Sequence, residues 1–479
     1  MTETALVWFR RDLRVHDNPT LRQATAENDC VVPLYTFDTR QFGQSSRWID
    51  ERRVGTLRAQ FVRESVRDLR ERLNDRGGSL LVRRGDPRSV LPEAAESVDA
   101  DVVHAQRLPV PEERETEAAV GDALDSRGID LATHWTHTLH AIEDLPMAVE
   151  NVQDTFTPWK DSVEANSQVR DPLGPPASVP TPDLEGTPIP TLAELGDDEP
   201  DQPADDSPMP VSGGESAALE RLQTYIFERD RLREYRETRN GLLGMDFSSK
   251  FSPWLAQGCL SPRRVKQAVD RYESERVAND STYWLLFELR WRDFFQFQFA
   301  KHGEAYFRSG GIQSREVAWN RDETAFRRWT DGETGFPFVD AAMRELRATG
   351  YQSNRARQNA ASFLANTLRI DWRWGAAYYE SRLLDYDVAS NYGNWAYVAG
   401  VGTDSRDRAF DVLWQAHNYD PDAEYVRRWV PELSKLPPRY AHEPWRMDID
   451  EQARYGVELG VDYPEPMVDP TAHFEGPSS

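Results

Sequence analysis

GYQSNRARQNAASFLANTLRIDWRWGAAYYESRLLDYDVASNYGNWAYVAGVG, residues Gly350 to Gly402, decides how the rest of this chain is read. Phe363, Leu364 and Leu368, then Tyr378, Tyr379, Leu383 and Leu384, recur at three- and four-residue steps, which predicts two helices buried on one side. Set among these apolar positions are Asn354, Arg357, Asp385, Asp387, Asn391 and Trp395. Burying that many hydrogen-bonding groups without partners costs on the order of 1 to 3 kcal/mol each. A polar ligand would satisfy several of them together, so the chemistry of the chain is expected here.

Upstream the pattern changes. Short apolar runs, ALVWF (5–9), CVVPLYTF (30–37), SLLV (79–82), DVVH (101–104) and DLATHW (130–135), alternate with helical patterns, as in a parallel sheet covered on both faces. Val54, Leu57, Phe61, Val62, Val66, Leu69 and Leu73 form the apolar stripe of one connecting helix, and Asn18 before Pro19 reads as the cap and first turn of another. The first strand runs into Arg10, Arg11 and Asp12 instead of a G-x-G-x-x-G loop, which argues against a dinucleotide in this half. From Pro172 to Gly214 the composition shifts to Pro, Gly, Ser and acids, too poor in apolar surface to fold alone. After Gly214 the reading is almost wholly helical, including a strongly buried helix over 283–291. The predicted architecture is a Rossmann-like α/β domain with a parallel five-stranded sheet (1–140), a linker (141–214), an all-α C-terminal domain (215–468) and a frayed tail (469–479).

Composition narrows the setting. A chain of 479 residues can bury two separate cores. Its two cysteines, Cys30 and Cys259, suggest neither a disulfide framework nor a metal site, which fits a reducing cytoplasm. There is no charged apolar leader and no apolar run of about 18 residues, so no membrane span is expected. The net charge of -24 runs against nucleic-acid binding, yet Arg344, Arg347, Arg355, Arg357, Arg369, Arg373 and Arg382 face only Glu345, Asp371 and Glu380 in their stretch. A locally basic face on an acidic body follows. The acidic excess itself reads as adaptation to high salt, where the Debye length falls to about 3 Å at 1 M.

The individual motifs each have an ordinary reading. SSKFSPWL (248–255) is a helix start with Ser252 as cap and Pro253 as first residue, a geometry that also suits an anion. Asn354 and Arg357, three apart, share a helix face. In ELRWR (288–292), Glu288 and Arg292 have the spacing of an exposed helical ion pair. Asp387 and Asn391 could simply start turns, and most of the 15 tryptophans would fill cores.

Taken together, SNRARQ (353–358), DWRWG (371–375), DYDVASNYGNWAYVAGVG (385–402) and YVRRWVPEL (425–433) resemble the flavin-binding domain of the photolyase/cryptochrome family, specifically its DASH-type branch. The resemblance covers the chain apart from the linker and the last residues, and TPWK (157–160) is similar to the family's motif at the end of its first domain. It implies FAD in the helical domain. Tyr235, Ser248, Ser249, Phe251 and Ser252 match the residues around the FAD diphosphate; Asn354, Arg357, Asp385 and Asp387 match those around the rest of the cofactor. Arg357 and Asp385 are expected to form a salt bridge beneath the flavin, since a buried charge needs a partner. Asn391 matches the residue facing flavin N5, where an amide can both donate and accept.

Trp319, Trp372 and Trp395 match the family's electron relay. Glu288 and Trp291 match residues that hold a pyrimidine dimer, and Arg292 would approach phosphate or flavin. Arg239 and Arg355 would steer DNA, while Gln358 and Tyr397 replace the methionine and second tryptophan of duplex photolyases. The implied activity is blue-light repair of cyclobutane pyrimidine dimers, preferentially in single-stranded DNA, by a monomer. The alternative is a blue-light photoreceptor with little or no repair. The resemblance also implies an antenna, methenyltetrahydrofolate or a deazaflavin, in the N-terminal half, although Leu108 stands where an acidic folate contact would be looked for.

Overall fold

The computed structural model describes residues 3–182, 184, 186–196, 209–403 and 409–470. Five parallel strands, β1 (Thr4–Phe9), β2 (Cys30–Asp38), β3 (Leu81–Gly85), β4 (Val102–Gln106) and β5 (Asp130–His134), lie in the order β3-β2-β1-β4-β5. The runs read from the sequence are these strands, shifted by at most three residues at their ends, the largest shift falling at β3. Their near-continuous hydrophobicity has a plain cause, because both faces are covered. Val7, Phe9, Val31 and Tyr35 pack toward the Thr56–Asn74 helix, while Leu6, Trp8, Val32 and Leu34 pack against Leu91, Ala95, Val120 and Leu124 on the other side. Asn18 caps the Pro19–Glu27 helix by accepting from the Leu21 amide at 3.0 Å.

The turn after β1 is closed to a phosphate. The Arg10 amide donates to Asp12 Oδ1 at 2.9 Å and the Arg11 amide to Gln106 Oε1 at 2.9 Å, so these donors are already occupied. The helical half meets this turn at Gly258 (φ +69), where an added Cβ would lie 1.9 Å from the Arg11 carbonyl oxygen. Only glycine permits that approach.

The 141–214 segment is less uniform than its composition suggests. The Phe156–Asn166 helix inserts Phe156, Trp159 and Val163 into the core of the helical half. Beyond it the chain straps the sheet domain: Pro180 accepts from the Val31 amide at 2.8 Å, and Val179, Leu192 and Leu195 are buried at intervals. Scattered apolar residues thus anchor a segment that could not fold by itself. The expected fraying beyond Pro470 falls outside the described residues.

From Glu215 onward the described elements are helical. Asp280–His302, started by a capping box at Asn279, runs through the centre of this half. Its 283–291 portion is not buried all round: Tyr283 is 40% exposed, and Phe287, Glu288 and Trp291 face an opening. The stretch Gly350–Gly402 forms the helices Asn354–Ser362, Trp372–Arg382 and Val388–Val398, with a π turn at Phe363–Thr367 between the first two. Among the described residues no helix is long and apolar enough to cross a membrane.

Candidate functional site

Three elements distant in sequence close around a cavity of about 430 Å³: the 248–255 loop, the middle of Asp280–His302, and the Asn354–Ser362 helix with Asp385 and Asp387 behind it. A deeper recess of about 90 Å³ shares Asn354, Arg357, Asp385 and Asp387 and adds Asn391 and Trp395. Each proposed cofactor contact, from Tyr235 and Ser248 through Asn391, lines one or both. Glu288, Trp291, Arg292, Gln358, Tyr397 and Arg239 line the larger cavity beside them.

Arg357 Nη2 donates to Asp385 Oδ2 at 2.8 Å, the ion pair expected from the sequence. Ser353 caps the Asn354–Ser362 helix, so Asn354 and Arg357 share its cavity side, and Arg357 Nε is held by the Gln352 carbonyl at 3.0 Å. Ser252 does not act as predicted. The Ser252–Gln257 helix has Phe251 at its cap position without a side-chain cap bond, and Ser252 Oγ donates to Asp385 Oδ2 at 2.6 Å. A hydrogen bond to a buried carboxylate is about twice as strong as a neutral one, which explains the diversion.

Asp387 caps the Val388–Val398 helix through the Ser390 amide at 2.8 Å and accepts from Gln296 Nε2 at 2.9 Å. Burial pushes its carboxyl up, but Arg292, Arg11 and the Ser390 bonds outweigh that and hold it below the ordinary value. Asn391 Nδ2 donates to the Ala376 carbonyl at 2.9 Å, which fixes the plane of the amide at the recess.

On the opening side, Glu288 pairs with Arg239 and not with Arg292, so the helical pair suggested by spacing does not form. Burial raises the Glu288 carboxyl, with Arg239 opposing. Arg292 lines the cavity, but its guanidinium donates to the carbonyls of His137 and Leu255, which leaves it an anchor between elements instead of a phosphate contact. Arg355 lies outside the cavity lining, over Tyr419 at 4.3 Å and bonded to Gln415 at 3.3 Å. Trp291 stacks on Phe156 at 3.7 Å and 7°, so one face of the indole is covered.

The relay tryptophans descend from burial to exposure. Trp395 lies against Gly375, where an added Cβ would come within 2.2 Å of the ring. Trp372 is fully buried and Trp319 partly exposed. The indole nitrogens of Trp372 and Trp319 donate to the same Ser309 carbonyl at 3.1 and 3.0 Å, so one backbone oxygen joins the two side chains. Trp395 additionally meets Tyr379 at 5.1 Å and Trp329 at 6.1 Å.

Sequence reasoning passed over Lys250, although it sits inside the quoted SSKFSPWL loop. Its side chain is 2% exposed, its backbone has φ +58, and Nζ lies 3.4 Å from the Phe247 ring centre and 4.1 Å from that of Tyr351 without a hydrogen-bond partner. Burial pushes its pKa well below the usual lysine value. Asp385 Oδ1 is likewise buried and unpartnered. A lysine cation and a carboxylate oxygen left open in one cavity fit a ligand with both anionic groups and a polar ring edge, which FAD has.

The second cavity, about 100 Å³, lies between the ends of β1 and β2 and the helical half, with Leu108 in its wall. Its charged groups are occupied: Arg11 pairs with Glu113 at 3.3 Å, Arg53 with Glu112 at 2.6 Å and Glu380 at 3.0 Å, and Arg58 donates to the backbone carbonyls of Glu380 and Leu383. Arg11 also reaches Asp387 at 3.7 Å, linking the two cavities. Among the described residues no group of His, Cys, Asp or Glu could hold a metal ion, and both cysteines are free.

Residues 5–182 match the DNA photolyase family and residues 284–475 the FAD binding domain of DNA photolyase. The cryptochrome DASH of Natronomonas pharaonis is 58% identical, covering 99% of each chain. The chain belongs to the DASH cryptochromes of the photolyase family. That of Xenopus laevis is 43% identical over 96% of this chain and 88% of its own. Among solved structures, the Synechocystis cryptochrome superposes with a TM-score of 0.94 at 45% identity, covering 98% of this chain and 96% of that one. A class III photolyase from Agrobacterium tumefaciens reaches 0.86 at 32% identity, over 98% and 95%. The helical half is thus a photolyase-type FAD-binding domain, and FAD is its cofactor.

Proposed function

We propose that this DASH cryptochrome is a blue-light-driven lyase that splits cyclobutane pyrimidine dimers, preferentially in single-stranded DNA. The observation that carries the reading is a cavity lined both by Asp385 and Ser249 and by Glu288, Trp291 and Tyr397, joined through Asn354, Arg357, Asp385 and Asp387 to the recess that holds Asn391. Reduced FAD, when bound, supplies the light-absorbing electron donor. Arg357 and Asp385 hold the charge beneath it, Lys250 and the Ser248 and Ser249 hydroxyls receive its diphosphate, and Asn391 presents its anchored amide to the ring. Trp291, backed by Phe156, offers its free face for stacking, while Glu288, oriented by Arg239, accepts hydrogen bonds from the dimer's imide groups.

An electron that reaches the dimer opens both cyclobutane carbon–carbon bonds and returns, so the cycle has no net redox change. Gln358 and Tyr397 give a smaller, more polar pocket than methionine and tryptophan would. Extruding a paired base costs a few kcal/mol, which a single strand largely avoids. Arg239 and Arg355 steer the strand as parts of a basic mouth on an acidic, salt-adapted body that works as a cytoplasmic monomer. No second chromophore is assigned to the interdomain cavity. About 100 Å³ is below the roughly 300 Å³ from which ligand pockets ordinarily begin, and its cations are held by carboxylates or, for Arg58, by backbone carbonyls. Extraction followed by absorbance and mass analysis is expected to release FAD alone.

Illuminating the reduced holoprotein with dimer-containing oligonucleotides tests the reading. Faster repair of the single strand than of the duplex is expected, and no light-dependent repair of either would reject it. A second reading, light sensing without repair, is favoured by the relay ending at partly exposed Trp319. It is distinguished by a Glu288→Gln variant that loses repair yet keeps every light response.

A further inference from the structure

The outermost relay tryptophan carries a cation on its face. The Arg369 guanidinium carbon lies 5.3 Å from the centre of the Trp319 ring. The placement is fixed through the main chain. Arg369 adopts φ +56 and accepts from the Asn320 amide at 2.6 Å; Asn320 Nδ2 donates to the Leu368 carbonyl at 2.9 Å, and the Asp371 amide donates to the Asn320 carbonyl at 3.2 Å. These bonds clip the residue after Trp319 onto the turn leading into Trp372. Among the described residues no carboxylate pairs with Arg369, because the neighbouring Asp371 is held by Arg373 at 2.5 Å.

An unneutralised cation over an indole stabilises the neutral ring through its quadrupole and repels a positive charge placed on it. For a structural tryptophan this is merely favourable packing. For the terminal donor of a relay it opposes the step that the donor must perform.

We propose that Arg369 is a positioning residue that makes Trp319 harder to oxidise and so limits how far a light-generated electron vacancy escapes toward the surface. This rests on the relay reading of Trp395, Trp372 and Trp319. Trp395 first gives one electron to light-excited oxidised FAD, when bound, and each later hop moves one electron inward. Trp372 reduces oxidised Trp395 and is oxidised in turn, Trp319 then reduces Trp372, and a thiol reductant in solution finally returns one electron to Trp319. The cation weakens the second hop and favours return of the vacancy to the buried pair. The Trp319 N–H is held by the Ser309 carbonyl, which cannot take its proton, so loss of that proton does not readily rescue the vacancy. The consequence is a domain that leaks few oxidising equivalents from its surface, at the cost of losing to recombination more of the electrons its relay delivers.

Transient absorption of the oxidised holoprotein after a blue flash tests this. R369Q is expected to raise the yield of long-lived tryptophan radical on the order of tenfold, the scale of one charge at this distance in a partly exposed site. R369K, which keeps the charge, should remain close to wild type. In wild type, salt near 1 M should reproduce part of the increase, because the Debye length is then about 3 Å, and R369Q should no longer respond. If W319F keeps the same long-lived radical as wild type, the relay reading itself fails. If W319F loses the radical while R369Q and R369K both match wild type, the relay stands and the role of Arg369 is overturned.

Discussion

Between the sheet and the helices, the charged groups of the small cavity are already occupied: Arg11 by Glu113, Arg53 by Glu112 and Glu380, and Arg58 by the backbone carbonyls of Glu380 and Leu383. Inside the helical half, Lys250 Nζ and Asp385 Oδ1 are buried and open toward a cavity more than four times larger. Both regions are lined by charged and aromatic groups, so composition alone does not separate them. Hydrogen-bond satisfaction of the charged groups does. A buried donor or acceptor without a partner is costly, and a fold retains several in one place when a ligand completes them. The matched network, by contrast, reads as a latch between domains.

The sharpest way to break this contrast is Asp385→Asn. It leaves Arg357 a charge without its partner and weakens the Ser252 bond, a change of about 3 kcal/mol, the low end for breaking a buried pair because Arg357 is 23% exposed. FAD affinity, measured by fluorescence titration of the apoprotein, should fall about a hundredfold. Lys250→Met removes the cation but fills the same apolar slot, so FAD should bind about tenfold more weakly, on the order of 1.4 kcal/mol, while the apoprotein becomes more resistant to urea.

Glu113→Gln in the latch should behave oppositely, leaving FAD affinity unchanged and lowering stability by about 1 kcal/mol in denaturant unfolding. Glu345→Gln sharpens the comparison from behind the cavity through its pH dependence. Burial pushes the Glu345 carboxyl up to about 8, with Tyr425, Lys250 and Arg357 opposing. A raised folded-state pKa means that its stabilising contribution is present at low pH and is lost progressively between about pH 4.5 and 8. Wild type should therefore lose stability relative to Glu345→Gln as pH rises through that window, read by urea denaturation at pH 5 and 8.

Much of this was legible from the chain alone. The five strands announced themselves because sheets buried on both faces need continuous apolar runs, and the Arg357–Asp385 pair followed from the family resemblance together with the need of a buried charge for a partner. What failed were local readings overruled by distant partners. Ser252 resembles a cap until a carboxylate 133 residues away claims its hydroxyl. Glu288 and Arg292 have ion-pair spacing, yet each is drawn to a group on another element. Lys250 was invisible because a lysine in a polar loop ordinarily points to water. Phe156 gave no signal because its partner Trp291 lies far along the sequence.

The most direct measurement is hydrogen–deuterium exchange of the apoprotein with and without FAD. The expected result is protection confined to residues 248–257, 351–358 and 385–395, with the segment 106–113 beside the interdomain cavity unchanged. Protection of 106–113 with the helical segments unaffected would contradict the assignment of the cofactor to the unsatisfied cavity.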